Sequence, residues 1–257
     1  MKRIYFFILL FSSLLFCCNE EGATTKVAIY EVAGSINTWC FYLQGQVYND
    51  FRDTTLYVDD EGVLRSRFRP ALQGVRHSTL VLNESYKSHF DSIIFSSYCI
   101  GRYGMTIDAT ITHDTCWAIV LHPDEWIGCY SFILTDEESL LINALFSDLP
   151  CNNYIKPPTE QHCPHCTLVR RYQDNHTCTS FLDMSADSIP QNLAICSEAI
   201  ESIVSWHINN DNYVNRNIFN NKNRAIFDNI LMENGIPPSM PTTPPPSIPL
   251  ETSSHVF

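Results

Sequence analysis

Short segments in which apolar and aromatic residues recur at close spacing dominate residues 26–98. They are rich in β-branched residues and are separated by polar stretches, a pattern typical of β-strands joined by turns. The segments are KVAIYEV, WCFYLQGQVY, TTLYVDD, VLRSRF, STLVLNES and DSIIFSSY. The sequence DDEG at 59–62 combines Asp and Gly as tight turns do, so we predict a hairpin there.

The second half of the chain contains further strands. Residues 105–122, MTIDATITHDTCWAIVLH, predict two strands joined at His113 and Asp114, and GCYSFILT predicts a third. Residues 166–184, CTLVRRYQDNHTCTSFLDM, predict a hairpin that turns at Asp174 and Asn175. We therefore expect antiparallel strands both before and after the first helical segment in the sequence.

Helical periodicity begins at TDEESLLINALFSDLP, residues 135–150. Thr135 and Glu138 have the spacing of a capping box, and Pro150 ends the segment. An apolar stripe recurs at helical spacing and consists of Leu140, Leu141, Ala144 and Leu145. These features predict an amphipathic helix.

Two more helices are expected towards the C-terminus. SIPQNLAICSEAIESIVSWHI predicts a helix with Pro190 in its first turn. Its apolar face consists of Leu193, Cys196, Ile200, Ile203 and Val204. A shorter helix is predicted over roughly 222–233. The elements together predict an α+β fold: a β-rich antiparallel ectodomain with two or three amphipathic helices in the C-terminal half.

The N-terminus has the pattern of an export signal. Lys2 and Arg3 precede an apolar run at 4–16 that is too short to span a bilayer. Cys17 and Cys18 follow it directly, as in the lipobox of a Bacteroidetes-type exported lipoprotein, which this segment resembles. The resemblance implies lipidation of Cys18, with Cys17 as the alternative acceptor, and a lipid anchor in the outer membrane, facing the periplasm or the cell surface. An ordinary cleaved signal or an N-terminal anchor is the other interpretation.

These features divide the chain into five parts. We expect a lipoprotein signal peptide at 1–17, a β-rich N-terminal region at 18–90 and an α+β domain at 91–208. An Asn-rich segment with a short helix at 209–235 and a Pro-rich disordered tail at 236–257 complete the chain.

The charge balance of the chain restricts the kinds of molecule that we expect it to bind. The chain has 16 basic and 28 acidic residues and a net charge of −12. Nucleic acids are recognised through basic patches, so we expect no nucleic-acid partner. The expected contacts are the membrane, through the lipid, and another envelope protein.

The cysteines also agree with export, because oxidising compartments favour disulfide bonds. Of the 11 cysteines, Cys17 lies in the predicted signal and Cys18 in the lipobox, which leaves nine others. Nine is odd, so at least one of them has another role.

The stretch QHCPHC, residues 161–166, offers three interpretations. Cys163 and Cys166 have the spacing of a redox dithiol, but the preceding residues are polar and proline-rich, where such a site needs a buried strand. Alternatively, Cys163, Cys166, His176 and Cys178 form a structural zinc site, with His162 and His165 as spare ligands. In the third interpretation these cysteines are disulfide partners or small buried residues, and strand pairing brings Cys166 close to Cys178 if the turn centres on residues 172–175. We favour the third interpretation and expect no cofactor, with the structural zinc ion as the alternative.

A second resemblance concerns residues 91–207. Cys99-Ile100-Gly101, the strand at 107–111, IGCYSFILT and the helix after it resemble a bacterial domain-of-unknown-function family whose opening strand is C-[FY]-G-x-C-P-x-Y. The family's P-x-x-L helix is similar to the segment from Pro190 to Leu193. Tyr103 and Gly104 replace the family's second cysteine and its proline. The resemblance implies an α+β shape and export, and no activity.

The sequence contains no nucleophile elbow, phosphate-binding loop or H-E-x-x-H zinc motif. We therefore expect a membrane-anchored envelope lipoprotein with a non-catalytic role in binding, assembly or maintenance. Two alternatives are a thiol-disulfide oxidoreductase that uses Cys163 and Cys166, and an immunity-type lipoprotein that blocks a toxin.

Overall fold

The computed structural model describes eleven stretches of the chain, and everything below refers to them. They are 25–35, 37–50, 55–82, 90–99, 106–122, 126–147, 149–156, 165–184, 186–209, 213–215 and 222–233. The predicted lipidation residues Cys17 and Cys18 lie outside these stretches, as does Cys163.

The first sheet has six antiparallel strands in the order β3-β2-β1-β6-β5-β4. They are β1 (Thr25–Val32), β2 (Trp39–Leu43), β3 (Gln46–Tyr48), β4 (Leu56–Val58), β5 (Leu64–Ser66) and β6 (Gln73–Leu82). The predicted hairpin at 59–62 is confirmed. Asp59 Oδ1 accepts hydrogen bonds from the N–H groups of Glu61 and Val63, and Gly62 has a φ of 76°.

The second sheet has eight strands in the order β11-β13-β12-β7-β8-β9-β10-β14. They are β7 (Ser92–Cys99), β8 (Thr106–Thr112), β9 (Thr115–His122), β10 (Gly128–Ile133), β11 (Tyr154–Lys156), β12 (His165–Gln173), β13 (His176–Asp183) and β14 (Tyr213–Asn215). All pairs are antiparallel except β11 with β13. The predicted turn between β12 and β13 is confirmed: Asp174 and Asn175 have φ of 50° and 63°, as a two-residue hairpin requires.

Three helices complete the described fold: α1 (Asp136–Ser147), α2 (Gln191–Asn209) and α3 (Lys222–Glu233). The capping box that the sequence predicts for α1 is present. Glu138 Oε2 accepts the N–H of Thr135 at 2.8 Å, and Thr135 Oγ1 accepts the N–H of Glu138 at 3.2 Å. The fold is therefore β-rich α+β with antiparallel sheets and few helices, as predicted at that level.

One hydrophobic core joins the two sheets through α1 and α2. It contains Val27 and Phe41 from the first sheet, Phe95 and Val169 from the second, and the apolar residues of both helices. Helix α2 contacts β2 and β3 on one side and β12 on the other. Helix α3 packs on the opposite face of the second sheet, where Phe227 covers Cys166 and Leu168.

The layer order places α2 in the interior. Every residue from Ala194 to Ser205 is buried, on all sides of the helix. This burial includes polar side chains that a surface helix would turn to water, and it determines the candidate site. Among the described residues, no helix is both long enough and apolar enough to cross a membrane.

A buried carboxylate–histidine cluster as candidate metal centre

The polar side of helix α2 contains two glutamates that are withdrawn from solvent. Glu198 and Glu201 are each 1% exposed. Glutamate is almost never fully buried unless it is paired, because removing a carboxylate from water costs several kcal/mol. Their positions three residues apart place both on one side of the helix. The surroundings of these two residues must therefore contain groups that offset the cost of burying them.

Two strand ends bring the other members of the cluster to this side of α2. Asp50 lies two residues beyond the end of β3, and His165 is the first residue of β12. The ligand atoms of Asp50, His165 and Glu198 all lie within 4.8 Å of one another. The site is thus assembled from three elements that are far apart in sequence and that meet only in the layered fold.

His165 joins Glu201 to the cluster. Its Nε2 lies 3.0 Å from Glu201 Oε2. The imidazole is 18% exposed, whereas the Glu201 side chain is 1% exposed. His165 is therefore more accessible to solvent than the Glu201 carboxylate that it contacts.

Glu198 lacks the partners that a buried carboxylate needs. Neither of its two carboxylate oxygens has a hydrogen-bond partner among the described residues, and the same holds for Asp50 Oδ1. Asp50 and Glu198 are close enough to interact, but two carboxyl groups can hydrogen-bond only if they share a proton. Without a proton or a cation, the cluster is left with repelling negative charges.

The pKa values of Asp50 and Glu198 reflect the free-energy cost of burying these neighbouring carboxylates. Burial, followed by the charge of Glu201, raises the pKa of Asp50 from 3.8 to about 6. Burial and the charges of Asp50 and Glu201 raise the pKa of Glu198 well above its ordinary value, and the nearby backbone of Trp39 opposes this rise without offsetting it. The charge of His165 acts in the opposite direction on Asp50 without offsetting the rise. The cluster thus retains protons that exposed carboxyl groups lose near pH 4.

The arrangement is suited to a divalent cation. Imidazole nitrogen and carboxylate oxygen are ligands of Zn²⁺, at about 2.0–2.2 Å from the ion. Atoms that share one coordination sphere must therefore lie within roughly 4 Å of each other, close to the separation in this cluster. A bound cation would occupy the unpartnered oxygens of Glu198 and displace the protons that the cluster otherwise holds.

A second buried carboxylate, Glu138, differs because it is fully paired. His207 Nε2 lies 2.9 Å from Glu138 Oε2, and the imidazole stacks on Phe132 with ring centroids 4.2 Å apart. Burial alone would raise the pKa of Glu138, but His207, Thr135 and Tyr48 together lower it below its usual value. Burial and the charge of Glu138 raise the pKa of Tyr48. Glu138 therefore links α1 to α2 and has no need of an added cation.

The structure does not assemble the described members of the predicted cysteine–histidine zinc site. Cys178 forms a disulfide with Cys151, with a Cα–Cα distance of 5.1 Å, so its sulfur is not available as a zinc ligand. Cys166 is paired with Asp183 in the sheet, and His176 with Gln173. The expected closeness of Cys166 and Cys178 is therefore wrong, because the turn at 174–175 sets a register that places Arg171 opposite Cys178.

The predicted redox pair is described only in part. Cys166 is 1% exposed and packs beneath Phe227 of α3. Reactive thiols are accessible to solvent, whereas Cys166 is buried. Its environment therefore agrees with the third interpretation of QHCPHC, in which the cysteines are disulfide partners or small buried residues. The predicted presence of disulfide bonding is confirmed by Cys151 and Cys178.

The sequence contained only weak signals of the cluster. The sequence predicts His165 only as a spare zinc ligand with cysteine partners. Asp50 lies in an unremarkable polar stretch, and Glu198 and Glu201 have the spacing of an ordinary solvent-facing pair. The flanking serines Ser197, Ser202 and Ser205, which are also buried, are the remaining sign that this side of α2 differs from a surface.

Comparison of this chain with protein-family models, with curated proteins and with solved structures finds no match.

Proposed function

We propose that this protein is a non-catalytic cation-binding protein whose site consists of Asp50, His165 and Glu198, with Glu201 holding the imidazole. One observation carries the proposal. Neither carboxylate oxygen of the buried Glu198 has a hydrogen-bond partner among the described residues, and its ligand atom lies within 4.8 Å of a second carboxylate and an imidazole. A cation is the simplest partner that offsets this concentration of buried negative charge.

The ligand chemistry favours zinc over calcium or magnesium. Calcium and magnesium take oxygen ligands and usually retain water, whereas an imidazole ligand suits zinc and its neighbours in the transition series. The nearly complete burial of Glu198 and Glu201 favours a closed site. Closed zinc sites stabilise a fold, while catalytic ones leave a position open to substrate. We infer a structural or storage role for the ion.

The cellular setting of the proposal comes from the N-terminal sequence. We propose an exported lipoprotein, anchored through Cys18 in the outer membrane, with a binding, assembly or maintenance role in the envelope. Another envelope protein is the proposed macromolecular partner.

Calorimetric titration of the chelator-treated protein with Zn²⁺ tests the cation site. We expect one ion per chain for the wild type, and binding weaker by about 100-fold or more for Glu198→Gln, since even the loss of an outer-shell partner costs 10- to 100-fold. His165→Gln should weaken binding similarly. Affinity should also fall as pH decreases through about 6, where Asp50 takes up its proton.

Two controls separate this site from adventitious binding. Glu31→Gln removes an exposed carboxylate of β1 and should leave the titration unchanged. The Co²⁺-loaded protein should show metal-centred absorption without the thiolate charge-transfer band that cysteine ligands produce. Equal Zn²⁺ affinity of the wild type and Glu198→Gln, or a strong thiolate band, would refute the proposed ligand set.

A further inference from the structure

A second charged group is buried at the other end of the interface between α2 and β12. Arg171 is 4% exposed and lies on the same face of β12 as His165, because residues six apart in a strand share a face. No carboxylate lies within 4 Å of its guanidinium among the described residues. Burying a cation without an opposite charge is costly, so its compensation must come from elsewhere.

Backbone carbonyls provide part of that compensation. Arg171 Nη1 donates to the carbonyl of Phe146 at 2.7 Å, and Nη2 donates to the carbonyl of Leu149 at 3.0 Å. Phe146 lies in the last turn of α1, where the helix dipole is negative, and Leu149 lies two residues beyond the end of the helix. Nη2 also lies 3.8 Å from the Cys178 sulfur. The third nitrogen of the guanidinium, Nε, has no partner for its N–H among the described residues.

A small cavity of about 20 Å³ lies beside this guanidinium. Its polar lining consists of Arg171, Asn152, Ser180 and Ser197, and the rest of its wall is largely apolar. A cavity needs roughly 10–15 Å³ of such space for one water, so this one accommodates a species of water or halide size. Among the described residues, the wall includes no carboxylate. The early turns of α2, which carry the positive end of the helix dipole, contribute Leu193 and Ser197.

We propose that this cavity binds a small inorganic anion of halide size, with Arg171 as its charged partner and the hydroxyls of Ser180 and Ser197 as candidate donors. The anion would neutralise the guanidinium, occupy the unpartnered Nε–H and oppose the positive end of α2. Burial lowers the pKa of Arg171, which agrees with a cation in need of a counter-charge. This site is separate from the cation cluster and does not rest on it.

The test is thermal unfolding of the full chain in sodium chloride and in sodium gluconate of equal ionic strength. We expect chloride to raise the wild-type Tm by about 2 °C or more, as a ligand bound only to the folded state does. Arg171→Met, which retains bulk without charge, should lose this difference. Arg170→Met is the matched control: it removes the neighbouring guanidinium, which lies over Tyr172 on the other face of β12, and should respond as the wild type does.

A direct measurement keeps the proposal testable if Arg171→Met fails to fold. Crystals of the wild type grown in bromide should show an anomalous peak in the cavity, within hydrogen-bond distance of Arg171. A peak there together with the chloride response supports the site. An equal chloride response in Arg171→Met and the wild type, or bromide density that leaves the cavity empty, would overturn it, and neither result depends on zinc binding.

Discussion

Glu198 shows that burying a single side chain can cost folding free energy that the residue type alone does not reveal. Its carboxylate is buried, accepts no hydrogen bond from the part of the chain that the structure describes, and lies beside the carboxyl group of Asp50. A carboxyl group whose pKa is raised by folding contributes stability below its unfolded pKa, and this stability is lost as pH rises through the folded pKa. In the metal-free protein, this loss begins above about pH 4 for Asp50 and continues past pH 6 for the pair.

We therefore predict that Glu198→Gln stabilises the metal-free protein at pH 8. Glutamine has nearly the same shape, carries no charge and offers its side-chain N–H to Asp50. One pKa unit corresponds to 1.36 kcal/mol, so a gain of about 1–2 kcal/mol in the free energy of unfolding is expected. Urea unfolding in the presence of a chelator measures it, and the gain should shrink as pH is lowered towards 4.

Saturating Zn²⁺ should reverse this order, because the ion stabilises the wild type and binds the variant poorly. The two unfolding curves, with and without zinc, thus distinguish a ligand from a merely misplaced residue. A variant less stable than the wild type at pH 8 with chelator would show that Glu198 is already compensated and that the cluster needs no cation.

At the scale of the element, α1 depends on Glu138 for two contacts at once. The carboxylate caps the N-terminus of α1 and binds His207 of α2 at 2.9 Å. We predict that Glu138→Gln destabilises the protein at pH 7 by about 2–4 kcal/mol, as breaking a buried charged pair does. Glutamine can still accept the Thr135 N–H, so the loss reports mainly on the pair with His207.

The pH dependence of stability tests whether loss of the pair with His207 causes this destabilisation. The pKa of Glu138 is lowered by folding, so its contribution is present above the ordinary value of 4.5 and is lost as pH falls through the lowered pKa. The difference in unfolding free energy between the wild type and Glu138→Gln should therefore shrink well below pH 4. Glu137→Gln alters the adjacent carboxylate, whose contact with Gln44 is exposed, and should change stability little at any pH.

Elements with local signals could be predicted from the sequence. The turn at Asp174 and Asn175 follows from two residues that tolerate positive φ, and the capping box of α1 from the spacing of Thr135 and Glu138. Helix α3 occupies the predicted range of Lys222–Glu233. In each case the interaction that determines the structure lies within a few residues of the chain, so the pattern contains it.

The environment of α2 could not be predicted in the same way. Its periodicity identifies an apolar face, and the opposite face would ordinarily meet solvent. Because the helix lies between two sheets, that polar face meets β3 and β12 instead, and Glu198 becomes buried. The partner of Cys178 was equally hidden: the parallel pairing of β11 with β13 brings Cys151 close, across a sequence separation of 27 residues.

At the scale of the whole molecule, the layers place unlike charges at the two ends of one interface. His165 and Arg171 lie six residues apart on β12, about 20 Å at the usual strand rise, and both face α2. In our proposals, a cation compensates the acidic cluster at one end, and a small anion compensates the guanidinium at the other. Such a core is only marginally satisfied by protein groups alone, so its stability should depend on small ions in the surrounding medium.

The proposed lipid anchor would determine which medium surrounds the folded part. Seven residue steps separate Cys18 from Thr25, where β1 begins, and a fully extended chain covers at most about 25 Å over that length. A lipid on Cys18 would therefore hold the folded part close to the bilayer. Triacylated cysteine carries more than one buried chain, which is enough for stable anchoring.

We predict that Cys18→Ala moves the protein from the membrane fraction to the soluble envelope fraction and abolishes incorporation of labelled palmitate. Cys17→Ala, one residue away, should remain in the membrane and stay labelled. Release by Cys17→Ala alone would assign the lipid to the alternative acceptor, and retention of both variants would indicate an uncleaved N-terminal anchor. Because both residues precede the first strand by at least seven positions, the soluble variant should unfold at the same temperature as the anchored wild type, with the same dependence on zinc and chloride. A change in either dependence would mean that the N-terminal segment contributes to the folded part as well as to its location.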